Sequence, residues 1–129
     1  MRVIQMTAGP ELDALVAEKI LKTVPCKSWV VIQHTLQGPI FSLMPGCGHE
    51  SHGCYPEGYA PKYSSDIGAA WRVVEKMREL YLFDMDDHDG IWGARFFLRS
   101  DLAKYGFGVA DTAPLAICLA AVQSSRHDN

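Results

Sequence analysis

The sequence has no cluster of lysine or arginine and no long apolar run. Its 129 residues include 12 lysine or arginine and 15 aspartate or glutamate residues, and the formal net charge is −3. Binding to a nucleic-acid backbone needs concentrated positive charge, so nucleic acid is not an expected partner. A helix that crosses a bilayer needs about 20 apolar residues. No such run occurs, so no membrane partner is expected either.

The common catalytic and cofactor-binding motifs are also missing. The chain contains no phosphate-binding loop, no dinucleotide-binding glycine motif and no nucleophile elbow. Its first residues, MRVIQMTAGPELD, lack the apolar core of a secretory signal. We therefore expect a non-enzymatic protein of the cytoplasm, without catalytic residues, whose four cysteines are free or metal-bound rather than disulfide-paired.

What is present is a regular succession of helices and strands. The sequence predicts a helix over residues 10–22, a strand pair over 28–36 and 38–44, and a helix over 64–83. A second strand pair follows over 91–100 and 105–110, and then a buried helix whose body is 115–122. This order predicts one α+β domain over residues 1–129, with three helices packed on a mainly antiparallel sheet of about four strands.

Two details of this prediction concern the region around residue 84. Apolar residues at helical spacing predict the buried stripe of the helix over 64–83; they are Ile67, Ala70, Trp71, Val74, Met77 and Tyr81. The acidic segment DMDDHDG (84–90) would then be a turn after this helix. It does not fit a calcium-binding loop, because the positions that need glycine and glutamate hold Asp89 and Arg95.

Three ordered segments carry a family resemblance. ELDALVAEKIL (11–21), YSSDIGAAWRVVEKM (63–77) and TAPLAICLAA (112–121) resemble the first helix and the two signature segments of the phage α/β/α sandwich domain family. The resemblance implies a three-layer α/β/α sandwich and a phage or prophage origin, hence the cytoplasm of the host cell. It supplies no catalytic residue.

A cysteine- and histidine-rich loop is the first candidate site. The stretch PGCGHESHGC (45–54) contains two cysteines and two histidines within eight residues. Zinc takes four thiolate or imidazole ligands, and one short loop rarely supplies all four, so Cys26 is a further candidate. The alternatives are a zinc site and a polar surface loop. The candidate zinc ligands are Cys26, Cys47, His49, His52 and Cys54.

The second candidate site lies in the second strand pair. Phe96 and Phe97 are consecutive, so one of them must face away from the side that the other faces. An outward Phe97 could stack on a base while Arg95, Arg99 or Lys104 holds a phosphate. The alternative is a strand covered by helices on both faces, which a three-layer sandwich favours.

Two functions follow from these observations. The first is an oligomeric phage protein that sequesters a nucleotide-type small molecule and so acts against host defence. The second is a module that binds a host protein through the loop at 45–62, tied by zinc. The first predicts a homo-oligomer with a ligand site of aromatic and cationic residues, whereas the second predicts a bound metal and a protein partner.

Overall fold

The computed structural model of the protein describes residues 6–26, 29–43, 54–56 and 58–125, with the backbone alone at 24, 26, 29, 43 and 54. The helices are α1 (Pro10–Val16), which continues as a π-helical turn (Ala17–Leu21), α2 (Ile67–Met77) and α3 (Ala113–Ser124). The strands are β1 (Val24–Cys26), β2 (Trp29–Thr35), β3 (Gly38–Leu43), β4 (Cys54–Pro56), β5 (Tyr81–His88), β6 (Ile91–Leu98) and β7 (Tyr105–Ala110).

The strands form one three-stranded sheet and two smaller ladders. In the order β5-β6-β7, neighbouring strands are antiparallel, while β2 and β3 form an antiparallel hairpin and β1 pairs with β4 in parallel. The predicted pairings of β2 with β3 and of β6 with β7 are confirmed. The number and grouping of strands differ from the single sheet of about four strands, because β1, β4 and β5 were not predicted.

Strand β5 corrects the predicted helix over 64–83. Helix α2 ends at Met77, and Tyr81 begins a strand that includes most of the segment predicted as an acidic turn. Asp89 and Gly90, with φ of 53° and 81°, then form the two-residue turn to β6. An Asp-Gly pair suits this turn because both residues must adopt positive φ, so the turn fixes β5 as a hairpin strand.

Helix α3 is buried on all sides, as its apolar sequence predicted. Every residue from Ala116 to Val122 is buried. On the sheet side, α3 approaches the backbone of β7 at two glycines. A Cβ at Gly106 would lie 2.7 Å from the Cα of Ser124, and one at Gly108 would lie 2.6 Å from the amide nitrogen of Ala120. The glycines therefore set how closely the helix can lie on the strand.

Helices α1 and α2 lie on the same side of the sheet as α3. Helix α3 contacts β6 and β7 on one side and α1 and α2 on the other. Helix α2 buries Ala70, Val74 and Met77 as predicted, together with Val73. Two other members of the predicted stripe, Ile67 and Trp71, are exposed, because the shorter helix turns its buried face towards α3.

A buried carboxylate joins α1 to the segment before α2. Asp13 accepts hydrogen bonds from the Ser64 amide at 2.8 Å and the Ser64 hydroxyl at 2.6 Å. The same hydroxyl accepts one from the Gly9 amide at 3.0 Å. The Ser64 side chain therefore bonds to Asp13 of α1 and to Gly9 just before α1. Asp66 caps α2 by accepting a hydrogen bond from the Ala69 amide at 2.9 Å.

Candidate functional site

The three-stranded sheet has one face covered by helices and one face that no described element covers. Side chains alternate between the two faces along each strand. Tyr81, Phe83, Ala94 and Phe96 lie on the covered face, and all except Phe83 are buried. We call the opposite side the outer sheet face; its members are Leu82, Asp84, Asp86, Ile91, Arg95, Phe97, Tyr105, Phe107 and Val109.

The outer sheet face exposes an unusual amount of apolar surface. Five large side chains keep a third to a half of their area in solvent: Leu82 42%, Ile91 47%, Tyr105 47%, Phe107 38% and Val109 49%. The register places them side by side: Leu82 and Tyr105 flank Phe97, and Phe107 and Val109 continue along β7 towards Ile91. A contiguous apolar patch that remains exposed on a folded domain is typical of a binding surface.

Arg95 occupies the centre of this patch and is held by two carboxylates. Its Nε donates to Asp84 Oδ2 at 3.1 Å, and its terminal nitrogen lies 3.0 Å from Asp84 Oδ2 and 3.1 Å from Asp86 Oδ2. Asp84 is directly opposite Arg95 in the β5–β6 register. The hydrogen bond to Asp84 has the largest effect on the pKa of Arg95 and raises it above its usual value. The hydrogen bond to Asp86 acts in the same direction, whereas partial desolvation lowers the pKa. The guanidinium is therefore fixed and charge-compensated.

Phe97 lies on the outer sheet face, beside an aromatic neighbour. It is directly opposite Tyr105 in the β6–β7 register, and the two ring centroids are 5.6 Å apart with an interplanar angle of 33°. Phe97 is half-buried, while Tyr105 is more exposed. The outward Phe97 is thus where the ligand hypothesis needs it. The alternative, in which helices cover this face as well, does not hold for the part of the chain that the structure describes.

The other two predicted cations are not gathered around Phe97. Arg99 donates from Nε to the Arg78 carbonyl at 3.3 Å and from its amide to the Leu80 carbonyl at 2.9 Å, so it is turned towards the end of α2. Lys104 is exposed at the end of the β6–β7 connection. The structure therefore brings Arg95 and Phe97 onto one face and separates Arg99 from them. Whether any of the four residues binds a ligand stays a prediction.

Most of the predicted zinc loop lies outside the described residues. This applies to Cys47, His49 and His52, while Cys26 and Cys54 are described by their backbone in β1 and β4. Val24 is opposite Cys54 and Cys26 is opposite Pro56 in that parallel ladder, so the two cysteines are two positions apart along it. Among the fully described residues, no three histidine, cysteine or acidic side chains form a metal-binding group. The zinc site stays a prediction.

Sequence reasoning missed Asp84 and Asp86 as members of the site. The signal was present, because Leu82, Asp84 and Asp86 alternate with three apolar residues at the period of two that marks a half-buried strand. The same alternation would have paired Asp84 with Arg95 across a hairpin. The helical stripe over 64–83 was extended through this segment instead.

The family model for the phage ABA sandwich domain matches residues 14–122. The chain belongs to the phage ABA sandwich domain family. This confirms the resemblance and, with the helices and antiparallel sheets described above, the α+β sandwich class. A crystal structure at 2.0 Å of a phage protein from Bacillus cereus ATCC 14579 is similar over 93% of this chain and 94% of that chain, with 22% identity and a TM-score of 0.55. At that identity the similarity shows a shared fold. No curated protein matches the chain.

No helix in the described ranges combines the length and the apolar character that crossing a membrane requires.

Proposed function

We propose that this phage-family protein is a non-catalytic binding protein and that its outer sheet face docks a folded partner protein. The observation that carries the proposal is the patch of five apolar side chains left exposed on the three-stranded sheet. Strands β5 and β6 are eight residues long and β7 is six, so with strands about 4.8 Å apart the whole outer sheet face covers roughly 350 Å², its charged residues included. This is within the range of the largest surface patches on monomeric proteins, which are often functional.

The composition of the patch also suits a protein interface. Tyrosine and arginine are enriched among the residues that dominate binding energies, and Tyr105 and Arg95 are both present here. The charge on Arg95 is already compensated by Asp84 and Asp86, so a partner could cover the guanidinium without leaving it unpaired, and the one carboxylate charge in excess would be left for a cation of the partner. A standard interface buries about 800 Å² on each side, so the patch would be its apolar centre and neighbouring polar residues its rim.

The charge around the patch indicates the chemistry of the partner. Strand β5 and its turn contribute four exposed aspartates, whereas Arg95 is the cation on the outer face itself; the aspartates are Asp84, Asp86, Asp87 and Asp89. A second copy of this chain would bring the same acidic strand. A partner whose apolar patch is bordered by lysine or arginine would be complementary instead. We therefore assign the face to a different protein with a basic rim.

Sequestration of a nucleotide-type molecule is the second candidate, and one observation favours it. The Phe97–Tyr105 ring pair offers an aromatic surface on which a base could stack. A phosphate, however, would compete with two carboxylates for Arg95, and Arg99 already donates to the Arg78 carbonyl. The geometry thus supports protein docking better. Sequestration, the action against host defence and the contact through the zinc-tied loop at 45–62 stay predictions.

Affinity capture with matched variants tests the docking proposal. The immobilised wild type, Phe107→Asp and Val109→Asp would be incubated with lysate of the phage's bacterial host. Ile67→Asp is the control, because it places the same charge on an exposed apolar residue of α2, away from the sheet. We expect one protein to be captured by the wild type and the control, lost with both face variants, and released as salt rises.

Three results would contradict the proposal or replace it. Capture that is unaffected by both face variants would exclude the outer sheet face as the docking surface. A dimer in multi-angle light scattering that Phe107→Asp dissociates would show that a second copy covers the face. A nucleotide that raises the Tm of the wild type but not of Phe97→Ser would favour sequestration, since a ligand bound only to the folded state raises its stability.

A further inference from the structure

A cleft that shares no lining residue with the outer sheet face has the form of a small-molecule site. The π-helical turn after α1, helix α2 and helix α3 all end around it. Its volume is about 230 Å³. We call it the helix-end cleft; it is lined by Lys19, Ile20, Lys22, Lys76, Met77, Glu79, Leu80, Tyr81 and Ser125.

The floor of the helix-end cleft is apolar. Ile20, Met77 and Tyr81 are buried at 4%, 6% and 1% exposure, so they form its base. The Tyr81 hydroxyl donates to the Ser124 carbonyl at 3.2 Å, which fixes the ring in place. Leu80 is exposed and forms a wall. A ring or a branched aliphatic group would therefore be transferred from water onto a preformed apolar surface.

The rim of the cleft is positively charged in a protein that is negative overall. Three lysines and one glutamate give the lining a formal charge of +2, against −3 for the whole chain. Lys76 is paired with Glu79 at 3.3 Å. Within the described ranges, neither Lys19 nor Lys22 forms an ion pair, so these two lysines are the ones that a ligand would engage.

Lysines near helix ends often serve only to cap the last carbonyls, and here backbone amides already fill that role at three of these carbonyls. The Ala17 carbonyl accepts hydrogen bonds from the amides of Lys22 and Thr23. The carbonyls of Lys76 and Met77 accept from the amides of Glu79 and Leu80, at 3.3 and 3.0 Å. The three helix ends contribute at most about −0.5 charge each. The cleft therefore stays weakly positive, which suits a single negative charge rather than a polyphosphate.

We infer that the helix-end cleft binds a small monoanion with an aromatic or branched apolar body, with the acid group between Lys19 and Lys22 and the body on Ile20, Met77 and Tyr81. The volume indicates the size of the part of the ligand that the cleft would enclose. Liquid water allots about 30 Å³ to each molecule, so the cleft encloses roughly eight non-hydrogen atoms. Benzoate is close to this size and carries the single negative charge that suits the rim. The inference does not depend on the outer sheet face.

Titration of the ¹⁵N-labelled protein with benzoate and with neutral benzamide tests the inference. We expect benzoate to shift the amide resonances of Ile20, Leu80 and Ser125, and benzamide to bind about tenfold more weakly, as loss of a charge-assisted hydrogen bond predicts. The double variant Lys19→Gln, Lys22→Asn should lower benzoate affinity to that of benzamide. Asparagine is chosen because Lys22 has a φ of 58°, which asparagine tolerates well.

Lys62→Gln is the matched control, since it removes one exposed lysine before the first turn of α2, at the opposite end of that helix from the cleft, and should leave benzoate binding unchanged. The Tm of each variant is measured first, so that loss of binding is not confused with loss of folding. Equal affinities for benzoate and benzamide would overturn the inference. So would resonance shifts confined to other residues, or unchanged binding in the Lys19, Lys22 double variant.

Discussion

The carboxylate of Asp13 and the hydroxyl of Ser64, 51 residues apart in the sequence, are joined by a buried hydrogen bond of 2.6 Å. The Ser64 amide donates to the same carboxylate oxygen at 2.8 Å. Through this pair, the first turns of α1 are fixed to the segment that leads into α2. The contact therefore fixes the position of α1 relative to α2, which the three-stranded sheet does not link directly.

Removing the Ser64 hydroxyl should destabilise the protein. In Ser64→Ala, the buried Asp13 carboxylate loses one of its two donors, and the Gly9 amide loses its acceptor. We expect the free energy of unfolding in urea to fall by about 1–3 kcal/mol, the usual cost of leaving a buried polar group unsatisfied. Ser65→Ala, at an exposed neighbour, is the control and should change it by less than about 0.5 kcal/mol. Equal effects would exclude a structural role for the pair.

The close approach of α3 to β7 predicts a large effect of a single methyl group. In Gly108→Ala the new Cβ would overlap backbone atoms of α3, so the helix must shift. We expect a loss of about 2–3 kcal/mol, or roughly 8 °C in Tm by calorimetry. Gly68→Ala, in the first turn of α2, adds the same methyl group where the nearest atom is a side-chain oxygen of Asp66. This control should be neutral or slightly stabilising, and a similar loss there would contradict the packing argument.

Cys118 should remain protonated and unreactive in the folded protein. Burial in α3, and then the charge of Asp13, raise the pKa of its thiol far above the ordinary value. The unfolded chain releases this proton above a pH of about 8.5, whereas the folded chain keeps it, so stability should fall as pH rises beyond that point. We expect the unfolding free energy of the wild type to drop more between pH 7.5 and 9.5 than that of Cys118→Ala.

A second measurement separates burial from titration at Cys118. Iodoacetamide treatment of the native protein, followed by peptide mass spectrometry, should leave Cys118 unmodified until urea is added. Rapid alkylation of Cys118 in the native state would show that α3 is not the closed layer described above. Identical pH dependence of the wild type and Cys118→Ala would exclude the thiol as the cause of the alkaline loss of stability.

The predicted zinc site can be decided by metal analysis of protein expressed with added zinc. We expect one zinc per chain by mass spectrometry of the metal content, and its loss in the double variant Cys47→Ser, His52→Ala. His34→Ala removes an exposed histidine of β2 and is the control, because it should leave the zinc in place. Absence of zinc from the wild type, or its retention in the double variant, would show that the prediction is wrong.

Local sequence patterns determined several elements of this protein correctly. The hairpin β2–β3, the pairing of β6 with β7 and the all-round burial of α3 were predicted because each depends on neighbouring residues: strand propensity, a short connection and a continuous apolar run. The alternation of side chains in a strand predicted that Phe96 and Phe97 face opposite sides, and the fold decided that Phe97 is the outward one. The first helix and the two signature segments also indicated the family, which the match over residues 14–122 confirms.

The tertiary structure alone decided which surfaces remain open. A sequence that reads PLAICLAAV shows that α3 is buried, but only the fold shows that all three helices lie on one side of the sheet and leave Tyr105 and Phe107 exposed. The ion pairs of Asp84 and Asp86 with Arg95 depend on strand β5. This strand was not predicted from the sequence, because the preceding helix was extended to residue 83. The helix-end cleft is lined by residues between positions 19 and 125. Local sequence patterns could not predict it, because the contacts that form it join residues far apart in the sequence.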